Sequence, residues 1–192
     1  GLLTGLEGGQ LLAPSDFSSI QVNFLRTYGD STIERRTADI FGAQSTNGPE
    51  RMKEFAPALT LTGIADHGKT LFDARCSACH SDGKFGPPIA YTERPNREKL
   101  LSDIVNPNAA ISPGYSTYTV DIGTGEKFVG LIPDPAAAVI LLRQPDRNEL
   151  LLPRSGRPLI ARQNWSLMPE EVVEGLSQQD MADLIEYVAS LH

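Results

Sequence analysis

Cys76-Ser77-Ala78-Cys79-His80 contains both cysteines of the chain, three positions apart, with a histidine directly after the second. Each use of such a pair makes a separate demand on the surrounding sequence. A redox dithiol of the thioredoxin kind needs a strand–helix–strand setting. Here the motif instead follows Ile64, Gly68, Leu71, Phe72 and Arg75, which recur at helical spacing. A structural zinc site needs four ligands. No second cysteine pair exists, and the other two histidines, His67 and His192, stand at unrelated spacing.

The remaining use employs every residue of the motif. Two thiols add to the vinyl groups of haem, and the adjacent His80 coordinates the iron. A low-spin haem then needs a ligand on its other face, and the sequence offers Met52, Met168, Met181, His67 and His192. Met181 falls on the inner stripe of a terminal helix with Leu184, Ile185, Val188 and Leu191, where core packing explains it. Met52 belongs to a helical stretch and is read the same way, and His67 is read as an exposed residue flanking a helix. Met168 stands in the irregular stretch "QNWSLMPEE", before a proline that starts a helix. A thioether on such a loop reaches iron without distorting a helix, so Met168 is the expected sixth ligand.

Outward from the motif, three patterns divide the chain. From Ser15 to about Leu61, short amphipathic helices are expected. One carries Phe17, Ile20, Phe24, Leu25 and Tyr28, a second Ile33, Ile40 and Phe41 up to Gly42, and a third Met52, Phe55 and Leu59. They suggest the end of a helical repeat array over residues 1–62. The segment 63–192 reads as the domain that holds CSACH, interrupted at about 115–162 by a small antiparallel β unit of four or five strands. Its signals are "YSTYTVDIGTGEKFVGLI" and "AAVILLRQPDRNELLLP", each two strand-like runs around a turn. Ser177 with Asp180 three residues on is the expected cap of the last helix. Apolar residues at 40% and a net charge of −7 describe a globular chain without the basic stripe that nucleic acid requires. No apolar run is long enough to cross a bilayer. The opening "GLLTGLEGGQ", without methionine, suggests a processed chain or an excised piece of a longer one.

The order "GKTLFDARCSACH", Gly86-Pro87, "SLMPEE" and "LSQQDMADLIEYVASL" resembles a class I cytochrome c. A closer similarity, over about Ala58 to the end, is to the carboxy-terminal haem-binding domain of large proteins from Planctomycetes and Verrucomicrobia. It is carried by "PALTLTGIADHGKTLF", "IVNPNAAISPGYSTYTV" and "SLMPEEVVEGLSQQDMADLIEYV". The resemblance implies a mainly α fold, the class I helical fold with an inserted β unit and a helical-repeat-like extension before it. It implies that Gly68 and Phe72 cross Leu184 and Tyr187, and that the Pro87 carbonyl accepts the His80 Nδ1–H. The family often has Gly-Pro-Asp-Leu where this chain has Gly86-Pro87-Pro88-Ile89, so only Pro87 is carried over. Ile89, Leu100, Ile104 and Leu167 are candidates for the haem wall, and Tyr115, Trp165 and Arg97 for its propionates. For each of these, ordinary packing or surface placement explains the residue equally well.

His/Met ligation leaves iron no open position, so the expected function is one-electron transfer by a single haem c rather than enzymatic turnover. The expected partner is a redox protein or a dehydrogenase domain that supplies electrons. The alternative is a sensor or peroxidase-like site whose sixth ligand is labile or absent. Covalent haem attachment takes place outside the bacterial inner membrane, which implies a periplasmic or other extracytoplasmic location.

Overall fold

Five short runs rich in β-branched and apolar residues form one antiparallel sheet in the computed structural model, which describes residues 16–41, 48–90, 95–154 and 157–191. The strands are β1 (Thr117–Asp121), β2 (Lys127–Leu131), β3 (Val139–Arg143), β4 (Glu149–Pro153) and β5 (Leu159–Arg162), in spatial order β4-β3-β2-β1-β5. The first four make a meander, and β5 returns to pair with the free side of β1, Val120 opposite Ile160. Turn chemistry sets the hairpins. Gly123 and Gly125 take positive φ between β1 and β2, and Gln144 N–H donates to the Asn148 carbonyl at 2.8 Å between β3 and β4. Alternation then turns Val120, Ile140, Leu142 and Leu152 to one face, where with Ile132 they form a buried cluster.

The chain divides into two compact units, Gly1–Ser45 with Ser116–Pro169 and Thr46–Tyr115 with Glu170–His192. Among the described residues, the first unit holds the sheet and the helices α1 (Ser19–Arg26) and α2 (Ser31–Phe41). Ser18 caps α1 in a capping box with Gln21. Just past α1, the Tyr28 carbonyl accepts from Lys127 Nζ of β2, which also lies 4.5 Å from the Tyr28 ring centroid. Helix makes up 45% of the described residues and the five-stranded sheet 15%, which corrects the expectation of a mainly α fold with a small inserted β unit. The physical reason is that the strands bury an apolar face of their own and share a unit with α1 and α2. Of the segments named from sequence, the opening ten residues, Gly42 and His192 lie outside the described residues.

The second unit contains α3 (Gly48–Phe55), a 3-10 turn (Ala56–Leu59), α4 (Ala65–Arg75), α5 (Ser77–His80), α6 (Arg97–Val105), a 3-10 turn (Glu170–Val173) and α7 (Gln178–Ala189). Its core includes Phe55, Phe72, Leu101, Met181, Leu184 and Ile185, all buried. Helices α4 and α7 meet backbone to backbone. A Cβ on Gly68 would stand 2.0 Å from the Asp183 carbonyl oxygen, and one on Gly63 2.3 Å from that of Ala182. Beside this contact the Phe72 and Tyr187 rings pack at 5.4 Å between centroids. Ser177 and Asp180 form the expected capping box at the start of α7.

The crossing also carries a polar clasp. Asp183, 1% exposed, accepts the Ile64 N–H at 2.7 Å and the Gln179 side-chain amide at 2.7 Å on Oδ1, and pairs through Oδ2 with His67 Nδ1 at 2.8 Å. Burial by itself raises the Asp183 pKa. The bonds from His67, Ile64 and Gln179 outweigh it and hold the carboxyl below its ordinary range. Asp180 is held low chiefly by the Ser177 hydroxyl and N–H. His67, read from sequence as an exposed residue flanking a helix, is exposed, and it also ties the first turn of α4 to Asp183 in the middle of α7.

Two outcomes are expected from this crossing. Gly68→Ala forces backbone apart from backbone and lowers unfolding free energy by about 3 kcal/mol, measured by denaturant titration. Asp183→Ala costs about 2 kcal/mol by stranding the Ile64 N–H. Because the folded-state pKa of Asp183 is depressed, its contribution is fully present above about pH 5 and is lost as pH falls through the folded value. The gap between wild type and Asp183→Ala therefore closes in acid.

Candidate functional site

Helix α4 delivers the CSACH segment. Cys76 N–H donates to the Phe72 carbonyl at 2.8 Å, and the N–H groups of Cys79 and His80 both donate to the Cys76 carbonyl at 3.1 Å. The motif therefore adds one more helical turn, α5, after a bend at Cys76, whose φ is −117°. Spacing of three and four residues places Cys76, Cys79 and His80 on one side of that turn. Neither cysteine is in a disulfide, and both are half-buried. Burial, more than any neighbouring charge, pushes the Cys76 thiol up to about 11, so it stays protonated at neutral pH.

The loop after the motif fixes the histidine ring. His80 Nδ1 lies 2.7 Å from the Pro87 carbonyl oxygen. A carbonyl only accepts, so this contact puts the proton on Nδ1 and leaves the Nε2 lone pair for a metal. Gly86 lies against the ring: a Cβ there would stand 3.0 Å from Cε1, 3.1 Å from Nδ1 and 3.2 Å from Nε2. The cradle is therefore cut to an imidazole with no side chain at position 86. Nearby, Cys76, Ile89 and Ile104 pack partly buried against the cluster that contains Leu100 and Leu101. A ring with a directed free nitrogen, two thiols on the same helical turn and an apolar wall fit covalently bound haem.

The other expected site residues divide between the units. Trp165, Leu167 and Met168 belong to the sheet-bearing unit. Trp165 is fully buried, and its Nε1 makes no hydrogen bond among the described residues. Met168 is in irregular backbone, its N–H donating to Ser166 Oγ at 3.0 Å. Arg97 is engaged by partners within its own unit. Its Nη1 donates to Glu186 Oε2 at 2.6 Å and its Nη2 to the carbonyls of Ala58 and Leu61 at 3.5 and 3.4 Å. The Tyr115 hydroxyl donates to the Gly83 carbonyl at 2.7 Å.

Some contacts at the site had no signal in the sequence. Arg75, next to Cys76, donates from Nη1 to the Val172 and Glu174 carbonyls at 3.0 and 2.9 Å. Arg51 donates to the Glu170 carbonyl, and Asn108 Nδ2 to Glu170 Oε1 at 2.8 Å. Together they secure the segment that follows Met168 and Pro169. These partners are separated by dozens of residues, and an arginine in a helix reads as a surface charge until the fold brings a carbonyl to it.

His67, Asp180 and Asp183 also place ligand atoms within 4.8 Å of one another. His67 and Asp180 sit in the first turns of α4 and α7, where helix dipoles oppose a cation, and Asp183, farther along α7, has its oxygens engaged. They form the clasp of the helix crossing.

No curated protein matches the chain. A family model described as cytochrome C oxidase, cbb3-type, subunit III matches residues 63–119, the stretch that runs from Gly63 through α4, CSACH and α6 into β1. This match supports a c-type cytochrome domain in the chain, and with it haem binding and electron transfer.

Proposed function

We propose that the chain carries one haem c, attached through Cys76 and Cys79, with iron held by His80 and Met168. It passes single electrons between redox proteins rather than turning over a substrate. The observation that carries this reading is the His80 ring, pinned by Pro87 through Nδ1 and left with Nε2 free. Haem bound here supplies a one-electron Fe(III)/Fe(II) couple.

The residues divide the work. Cys76 and Cys79 hold the group, so it is kept without relying on affinity alone. Pro87 orients the imidazole and raises its basicity, and Gly86 keeps its face clear. Ile89, Leu100 and Ile104 exclude water along one side. Met168 is proposed as the opposite ligand because it stands in irregular backbone. Two residues later comes Glu170, which Arg51 and Asn108 hold in the unit that contains His80. Leu167 and Trp165, close to it in sequence, are proposed to line the group, with the orphaned Trp165 Nε1 as a donor to a propionate.

The electron donor is proposed to be a dehydrogenase or a dehydrogenase domain, and the location periplasmic or otherwise extracytoplasmic, where covalent haem attachment takes place. Among the described residues no helix is long and apolar enough to cross a membrane.

Spectra of the purified protein test the reading. Expected are haem that resists acid–acetone extraction, a low-spin ferric spectrum and a far-red methionine–iron band. Met168→Ala abolishes that band and opens the ferrous protein to rapid CO binding. Rapid CO binding by the wild type would overturn Met168 ligation and favour a sensor or peroxidase-like site. Extractable haem would overturn covalent attachment.

A further inference from the structure

The loop that orients His80 is rich in glycine and proline. Between Ser81 and Pro88 it contains Gly83 and Gly86, and it ends in two prolines that lack an N–H. Gly83 takes φ +71°, a conformation that side chains resist, and the Asp82 carboxylate accepts the Lys84 N–H at 2.9 Å. A long-range support comes from Tyr115, 32 residues away, whose hydroxyl donates to the Gly83 carbonyl at 2.7 Å. A Cβ on Gly83 would stand 3.3 Å from Pro88 Cδ and 3.6 Å from the Tyr115 hydroxyl, so Gly83 is enclosed by both.

We propose that Tyr115 is a positioning residue for the iron ligand: its hydroxyl anchors the loop so that Pro87 meets His80 Nδ1. The chain of contacts runs Tyr115 to Gly83, Gly83 against Pro88, and Pro87 to the imidazole. A phenol has one proton to give, and Tyr115 gives it to a backbone carbonyl. A propionate is an acceptor only, so the same proton does not serve both. Loosening the anchor weakens the Nδ1–H bond to Pro87. The imidazole becomes a poorer donor, Fe(III) is less well stabilised, and the reduction potential rises.

The inference rests on the reading that His80 holds haem iron. The experiment compares wild-type and Tyr115→Phe holoproteins by redox titration and by NMR exchange of the His80 Nδ1–H with solvent. The expected result is an upward shift in potential and an exchange rate faster by about three- to tenfold, as the loss of one neutral hydrogen bond implies. Gly83→Ala, which strains the same loop from within, moves both readings in the same direction. A lower melting temperature with potential and exchange unchanged in both variants would show that Tyr115 serves stability alone, and would overturn the proposal. Wild-type protein without covalent haem would overturn the underlying reading and the proposal together, so the two failures are told apart by the wild-type spectrum.

Discussion

The backbone contact between α4 and α7 at Gly68 is the constraint on which the haem-binding unit depends. With a hydrogen in place of a side chain, the two helices approach until Gly68 touches the Asp183 carbonyl. That distance lets Phe72 and Tyr187 pack beside it, and lets Asp183 reach both the Ile64 N–H and His67. It also sets the direction in which α4 leaves the crossing, and α4 ends at Cys76. The position of both thiols and of His80 thus follows from a glycine two helical turns upstream.

Around this frame the site is made largely of backbone acceptors. Pro87 directs the imidazole, Gly83 receives Tyr115, and Val172, Glu174 and Glu170 receive arginines. Carbonyls of loops are poor anchors for one another because each only accepts. The side chains that donate to them, Arg51, Arg75 and Tyr115, therefore decide which loop conformations persist. Orientation of the His80 ring is delegated to residues outside the CSACH turn.

How much of this was legible in the sequence follows from the range of each interaction. The CSACH turn, the Ser177 capping box and the hairpin turns at Gly123 and at Gln144–Asn148 are local, and their residues announce them. The close approach at Gly68 and the Pro87 acceptor came from resemblance to a known family. The weight of the sheet did not show, because strands of five residues read as an insertion until their inner face is seen to close over Ile140 and Leu142 with no exposure. The pairing of Arg97 did not show either. Its partner Glu186 lies on another helix, and pairing across elements has no signature in spacing. The clasp at His67 was hidden likewise, since Asp183 declares itself only once α7 is docked.

The unit that contains His80 is discontinuous in the chain, with residues 116–169 intervening before α7. CSACH and the α7 backbone that meets Gly68 therefore stand on opposite sides of that segment in the sequence. A core that joins them is built from contacts of long sequence separation, so the entropy of closing it and the time it takes to form depend in part on residues that are not in it.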